Sequence, residues 1–266
     1  MIGSLKPIED VLLVDAHGVL SLTGGGGKTS LMFHLARQLV LAGKRVMTTT
    51  TTRIFMPTAD QSGTVLINAD PKEVLRQALT CRDDASHITA AAEYMADSDK
   101  LRGFAPSAIR TFEESGLFDW ILVEADGSAS RPLKAPAKHE PAIPPNTTVL
   151  VSVAGLDVIG SPLNEDMVFR SELAGKLMKL YGGETITESA LVNLIIHPYG
   201  SFKGASSRAH RFIFLNKADN PKRLVSSDRV VELLRQTPYD VAEALIVGQA
   251  LEGVHVHAVY TLKKWS

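Results

Sequence analysis

The chain has 266 residues, 45% of them apolar and 21% charged, with 20 Gly and 13 Pro, a balance that excludes a disordered or fibrous protein and allows a sizeable core. With 28 Lys and Arg against 29 Asp and Glu, the formal charge of −1 is too small to attract nucleic acid or an acidic membrane, so a charged ligand has to be met locally. The single cysteine, Cys81, excludes an intrachain disulfide and a thiolate zinc cluster; with neither signal peptide nor spanning segment visible, the expectation is a cytoplasmic protein with no nucleic-acid or membrane partner.

Read for hydrophobic period, residues 18–23 form a short β-type run; four glycines follow, then an amphipathic helix over about 29–42 that Gly43 ends. Residues 44–50 and 64–68 read as strands, and Asp70 with Pro71 opens a helix through about residue 78. Residues 118–125 (FDWILVEA) and 149–154 (VLVSVA) are nearly continuous apolar runs, as expected of strands covered on both faces. Between them lies RPLKAPAKHEPAIPPN, whose prolines predict a long ordered loop without regular structure. Helices are expected over 169–180 and 187–196, a strand over 212–215 that opens into NKAD, a helix over 226–236, and strands over 244–247 and 254–260. The alternation predicts one α/β domain over residues 1–266, a P-loop NTPase-like three-layer fold with a mostly parallel sheet and a small helical insertion around 165–205.

The segment SLTGGGGKTS carries the strongest chemical signal. Gly24, Gly25, Gly26 and Gly27 lack Cβ atoms, so consecutive N–H groups can turn inward as an anion-holding nest. Lys28 is then placed to neutralise a β- or γ-phosphate and the Thr29 hydroxyl to ligate Mg2+; Ser30 joins them in the first helical turn, which adds its positive dipole end. The loop is short, because Leu22 rather than glycine stands six positions before Lys28 and Gly24 only four before it. The bland alternative is a flexible turn beside a surface lysine.

Glu124 and Asp126 lie two apart, so on an extended backbone both point to one side. At the carboxyl end of a parallel strand beside a phosphate loop they suit Mg2+ or its ordered waters, and with Lys28 they form the expected catalytic set. Which carboxylate is nearer the ion stays open, and Asp126-Gly127 also reads as a plain turn. Asn216, Lys217 and Asp219 form NKAD directly after a strand. An Asp carboxylate accepts from guanine N1–H and the exocyclic amine, whereas adenine presents an acceptor at N1, so the pattern favours GTP. ATP stays open, since such a loop need not face the base.

Other features are weaker. Thr48, Thr49, Thr50, Thr51 and Thr52, followed by Arg53, either line the phosphate pocket or are simply good strand material. Lys134, His139 and Glu140 are polar groups on the proline-rich loop, suited to substrate contact or water handling, or simply solvated. Arg170 reads as a surface residue or a transition-state cation, and His255 and His257 face one way on a strand without further ligands nearby in sequence.

Taken together, LTGGGGKTSL, TTTTTRI, VEADGSASRPLKAPAKHEPAIPP, VAGLDVIGSPL and LNKAD resemble the YqeC family over most of the chain. That family has a shortened glycine loop, a threonine-rich strand end, an EADGS segment continued by PLKAP and an NKxD-like element in this order. Ser128, Ala129, Ser130 and Arg131 stand where the family usually has a tighter DGSR-type run. The resemblance implies a nucleotide-dependent accessory factor for a selenium-dependent molybdenum hydroxylase, with that enzyme or its cofactor-assembly proteins as partners. The leading expectation is a Mg2+-dependent GTP or ATP hydrolase in that role. Two rivals stand beside it: an ATP-dependent ligase or transferase, because TGGGGKT is similar to the TGTNGKT loop of Mur ligases, and a non-hydrolysing nucleotide-sensing chaperone.

Overall fold

The computed structural model describes residues 6–81, 86–250 and 253–262; residues 1–5, 82–85, 251–252 and 263–266 of the expected 1–266 domain lie outside them. In chain order the elements are α1 (Ile8–Leu12), β1 (Gly18–Gly24), α2 (Lys28–Leu41), β2 (Val46–Thr50), β3 (Arg53–Phe55), β4 (Val65–Ile67), α3 (Pro71–Thr80), β5 (His87–Ala91), β6 (Glu93–Met95), β7 (Lys100–Arg102), α4 (Ile109–Glu114) and β8 (Trp120–Glu124). They continue with β9 (Leu133–Lys134), β10 (Val149–Gly155), β11 (Val168–Phe169), α5 (Ser171–Met178), α6 (Glu188–Ile196), β12 (His210–Asn216), α7 (Pro221–Gln236), β13 (Ala244–Ala250) and β14 (Val254–Thr261).

Nine strands form the main sheet in the order β14-β13-β12-β10-β1-β8-β2-β5-β4, all parallel except for the edge strand β14. Period-2 alternation sorts the central strands onto two apolar faces. Leu20, Leu22, Val151, Val153, Phe212 and Phe214 pack with α1 and α2 on one face. On the other, Val19, Ile121 and Val123 pack with α3 and α4, while Ile213, Leu215 and Leu245 pack with α5, α6 and α7. Helices therefore cover both faces, which is why the strands read as continuous apolar runs. This is the expected three-layer α/β arrangement with a mostly parallel sheet, and β1, the glycine loop and α2 lie at mid-sheet. Among the described residues no helix is long and apolar enough to cross a membrane.

Three expectations about elements need correction. The proline-rich segment contains a two-residue strand, since Leu133 and Lys134 pair in parallel with Val168 and Phe169. The helix expected from residue 169 begins at Ser171, because Phe169 belongs to that pair and Arg170 takes a left-handed φ of 62°. Helix α7 starts at Pro221 rather than near 226, with the Asn220 side chain accepting from Arg223 N–H as its cap. Strand β5, sequence HITAA, and the three-stranded sheet β3-β7-β6 were not foreseen. Their runs are short, and β5 contains only one large aliphatic residue.

Candidate functional site

The carboxyl ends of β1, β2, β8, β10, β12 and β13 open on one cavity of about 1250 Å³. An open parallel sheet offers ligands this edge because its loops and helix N-termini converge there. At its centre the chain leaves β1 through the glycine loop, in which Gly24, Gly26 and Gly27 have φ of 92°, 77° and 126°. Space adds to the need for glycine at Gly27, where a Cβ would lie 2.1 Å from Asn216 Nδ2. As the cap position of α2, Gly27 supplies no side-chain acceptor, so the first N–H groups of the helix lack a side-chain cap. Such a terminus is an anion site by construction.

Lys28 is buried and does not reach into open space. Its Nζ donates to Gly24 O at 2.7 Å and to Ser128 Oγ at 3.4 Å, and lies 3.3 Å from Asp126 Oδ1 and 3.6 Å from Glu124 Oε1. Burial alone would lower the ammonium's pKa, but the Asp126 and Glu124 carboxylates outweigh it and hold Lys28 protonated. Glu124 is pushed upward by burial against the pull of Lys28 and of the Thr29 hydroxyl. Thr29 Oγ1 donates to Glu124 Oε2 at 2.6 Å, and Asp126 Oδ2 accepts from Gly24 N–H at 3.1 Å. Both carboxylates thus meet the loop, as their spacing predicts. A hydroxyl and two carboxylates are hard oxygen donors, and the buried Oδ1 of Asp126 faces only the Lys28 ammonium at 3.3 Å, so once Lys28 turns to a phosphate this set fits Mg2+ held jointly with phosphate oxygens.

From Asp126 a ladder of alternating charge leads outward. Lys134, also buried, lies 3.3 Å from Asp126 Oδ2 and donates to Glu140 Oε2 at 2.8 Å and to Gly127 O at 2.7 Å. Arg170 grips both oxygens of Glu140 and lies over the Phe169 ring at 4.5 Å. Burial would raise the Glu140 pKa, but the hydrogen bonds from Arg170 and Lys134 hold it down to about 2. The structure therefore brings Lys134, Glu140 and Arg170 into one network, which the sequence did not link. His139 lines the cavity beside them.

At the other end of the cavity, Asn216 is buried and acts as a stitch. Its Nδ2 donates to Gly26 O at 2.6 Å, and its Oδ1 accepts from Lys217 N–H at 2.8 Å and Ala250 N–H at 2.7 Å. Lys217, at a left-handed φ of 63°, pairs with Asp157 at 2.6 Å, and Asp219 pairs with Arg223. Lys217 and Asp219 line the cavity with Gln249 and Ala250 from β13. Sequence reasoning missed Asp157, Arg223, Gln249 and Ala250; only the LDV of VAGLDVIGSPL hinted at the first.

Thr48, Thr49 and Thr50 are structural: their hydroxyls bond Thr89, the Ala90 carbonyl and the Glu124 carbonyl. Thr51, Thr52 and Arg53 line the cavity, as does the exposed Ser30. Arg131 turns away, donating to Glu165 O, and His255 and His257 are exposed on β14.

The profile of the family described as YqeC protein matches residues 20–172. A relative from Escherichia coli (strain K12), Uncharacterized protein YqeC, is 35% identical over 235 residues, covering 88% of each chain. Among solved structures, FtsY from Mycoplasma mycoides is similar at 12% identity with a TM-score of 0.39, covering 91% of this chain and 63% of that one. A second crystal form of FtsY gives 10% identity, a TM-score of 0.30 and coverage of 87% and 52%. The chain spans less than two thirds of those solved chains. Matched by the family profile over more than half its length and by that bacterial relative over most of it, the chain belongs to the YqeC family.

Proposed function

We propose that the chain binds a nucleoside triphosphate with Mg2+ and hydrolyses it. The observation that carries this is the glycine loop: left-handed glycines packed so tightly that no side chain fits, an uncapped helix start, and Lys28 and Thr29 facing two buried carboxylates. In this reading the N–H groups of residues 26–30 cradle the phosphates, because Gly24 N–H is held by Asp126 and Gly25 N–H by Val153 O. Lys28 leaves its carboxylate partners to neutralise them, and Thr29 with Glu124 or Asp126 holds the cation, which when bound offsets charge developing on the phosphoryl oxygens. Asp126 or Glu124 orients the attacking water. Asp219 faces the base, with Lys217 alongside, and guanine fits that carboxylate better than adenine.

The family resemblance supports a finer role, in which the nucleotide state of this protein regulates the maturation of a selenium-dependent molybdenum hydroxylase. Calorimetry with GTP, ATP and CTP, with and without Mg2+, tests the binding. Lys28→Ala is expected to lower affinity at least about 100-fold, or roughly 2.7 kcal/mol. Thr29→Ala, which keeps the charge cluster intact, is expected to lose the Mg2+ dependence. Unchanged nucleotide binding in both variants would refute the site.

A further inference from the structure

We infer that the outer face of the β3-β7-β6 sheet is a second subsite of the same cavity, built for a small molecule that carries a flat apolar ring and a dianionic group of the phosphate-monoester kind. The inference rests on the nucleotide reading only for its neighbour; the subsite stands on its own residues.

The antiparallel register sets Arg53 opposite Arg102, Ile54 opposite Leu101 and Phe55 opposite Lys100. Period 2 then gives the sheet two unlike faces. Ile54 and Leu101 are buried in the core cluster that includes α2, and Arg53, Phe55, Lys100 and Arg102 line the cavity, whose wall Ile54 also touches. Two arginines directly across a strand pair repel each other and weaken the sheet. Among the described residues only Glu93, opposite Arg102 on β6, relieves this, and it pairs with Arg102. Arg53 has no carboxylate partner among the described residues. Three cations against one carboxylate leave two positive charges in excess, which matches a phosphate monoester dianion. Between them the Phe55 ring is 57% exposed, with Lys100 Nζ 4.6 Å from its centroid. An exposed ring with a cation on one side offers a flat molecule a stacking surface.

The position is fixed by backbone. Gly103 N–H donates to Thr52 O at 2.9 Å and Phe104 N–H to Thr50 O at 3.0 Å. A Cβ on Gly103 would lie 1.6 Å from Thr50 O, so only glycine allows this close approach. The small sheet is thereby held at the end of β2. Strands β8 and β2 lie on one side of β1, while β10, β12 and β13 lie on the other. A nucleotide whose base lies toward Asp219 would direct its terminal phosphate toward Glu124, Asp126 and this sheet. The cavity, at about 1250 Å³, is larger than the roughly 300–1,000 Å³ of a site for one small ligand. The second ligand therefore lies where an acceptor or effector of the terminal phosphate belongs.

Phenyl phosphate at pH 7.5 is the probe, titrated by calorimetry against wild type and Arg53→Gln, with and without saturating Mg2+-nucleotide. Wild type is expected to bind it saturably at millimolar concentration or better, more tightly than inorganic phosphate, and with nucleotide present. In Arg53→Gln that affinity should fall about tenfold while nucleotide affinity stays within about twofold and the melting temperature holds or rises, because the facing arginines no longer repel. Arg53-dependent phenyl phosphate binding without any nucleotide binding would support the subsite and refute the nucleotide reading. The subsite is overturned if wild type shows no saturable binding, if Mg2+-nucleotide displaces the probe completely, or if Arg53→Gln weakens nucleotide and probe alike.

Discussion

The two ends of the cavity hold their charges in different ways. At the glycine loop the side chains of Lys28, Glu124 and Asp126 are at most 7% exposed, and each has given up water for the others. At the NKAD end the pairs Lys217–Asp157 and Arg223–Asp219 keep 20–49% of their surfaces in solvent. Buried charges depend on their partners for stability, whereas screened ones can be exchanged at little cost. Under the proposed function, ligand binding at the loop is therefore coupled to folding, and at the NKAD end it is nearly independent of it.

The sharpest way to break this contrast is Lys28→Ala. Removing the ammonium leaves Glu124 and Asp126 facing each other in a dry site, with Lys134 as the remaining cation near Asp126. A loss of about 3–5 kcal/mol is expected from urea unfolding, as for one partner removed from a buried pair. A loss below about 1 kcal/mol would mean that the cluster is hydrated and the contrast false.

Asn216 joins the two ends, since it ties Gly26 O to Ala250 N–H. Asn216→Ala should leave these buried groups unpaired and cost about 2–3 kcal/mol, and it should weaken phosphate binding although Asn216 need not touch the ligand. Equal stability with lost nucleotide affinity would instead make it a direct ligand contact.

The Glu140 ladder gives a pH-dependent effect. Its carboxyl titrates at about 2 in the fold against an ordinary value of 4.5, so between these values the unfolded chain takes up the proton more readily. The stability contributed by Glu140 is present above pH 4.5 and lost as the pH falls toward 2. Wild type and Glu140→Gln should differ in melting temperature at neutral pH and converge through that acid range. A difference that persists at pH 2 would remove the charge ladder as its cause.

How far these features could be read from the chain depends on how local they are. The glycine run, Lys28 and Thr29 are adjacent, and Glu124 and Asp126 share a strand end, so spacing alone sets them on one side. The long apolar strands and the three layers follow from the same periodicity. Asp157 was not legible because its partner Lys217 lies 60 residues away and is met only when β10 and β12 pair. The link from Lys134 through Glu140 to Arg170 was lost for a like reason, and so was the strand β9 that positions Lys134. Three-residue strands such as β3 and β7 are too short to show a period, so the facing of Arg53 and Arg102 appears only with the register.

The smallest stability effect is expected at Asp219, and it tests the solvent-exposed end most directly. Its carboxylate is about half exposed and is engaged by Arg223 one helical turn on, a pair worth little in solvent. Asp219→Asn should change unfolding stability by no more than about 0.5 kcal/mol. It replaces one acceptor oxygen with a donor, so a base that offers N1–H and an exocyclic amine loses one of two hydrogen bonds. A tenfold or greater fall in GTP affinity, about 1.4 kcal/mol, with ATP affinity unchanged is the expected result by competition binding. If GTP and ATP fall together, Asp219 acts through Arg223 and the loop rather than on the base; if neither changes, the base lies elsewhere in the cavity.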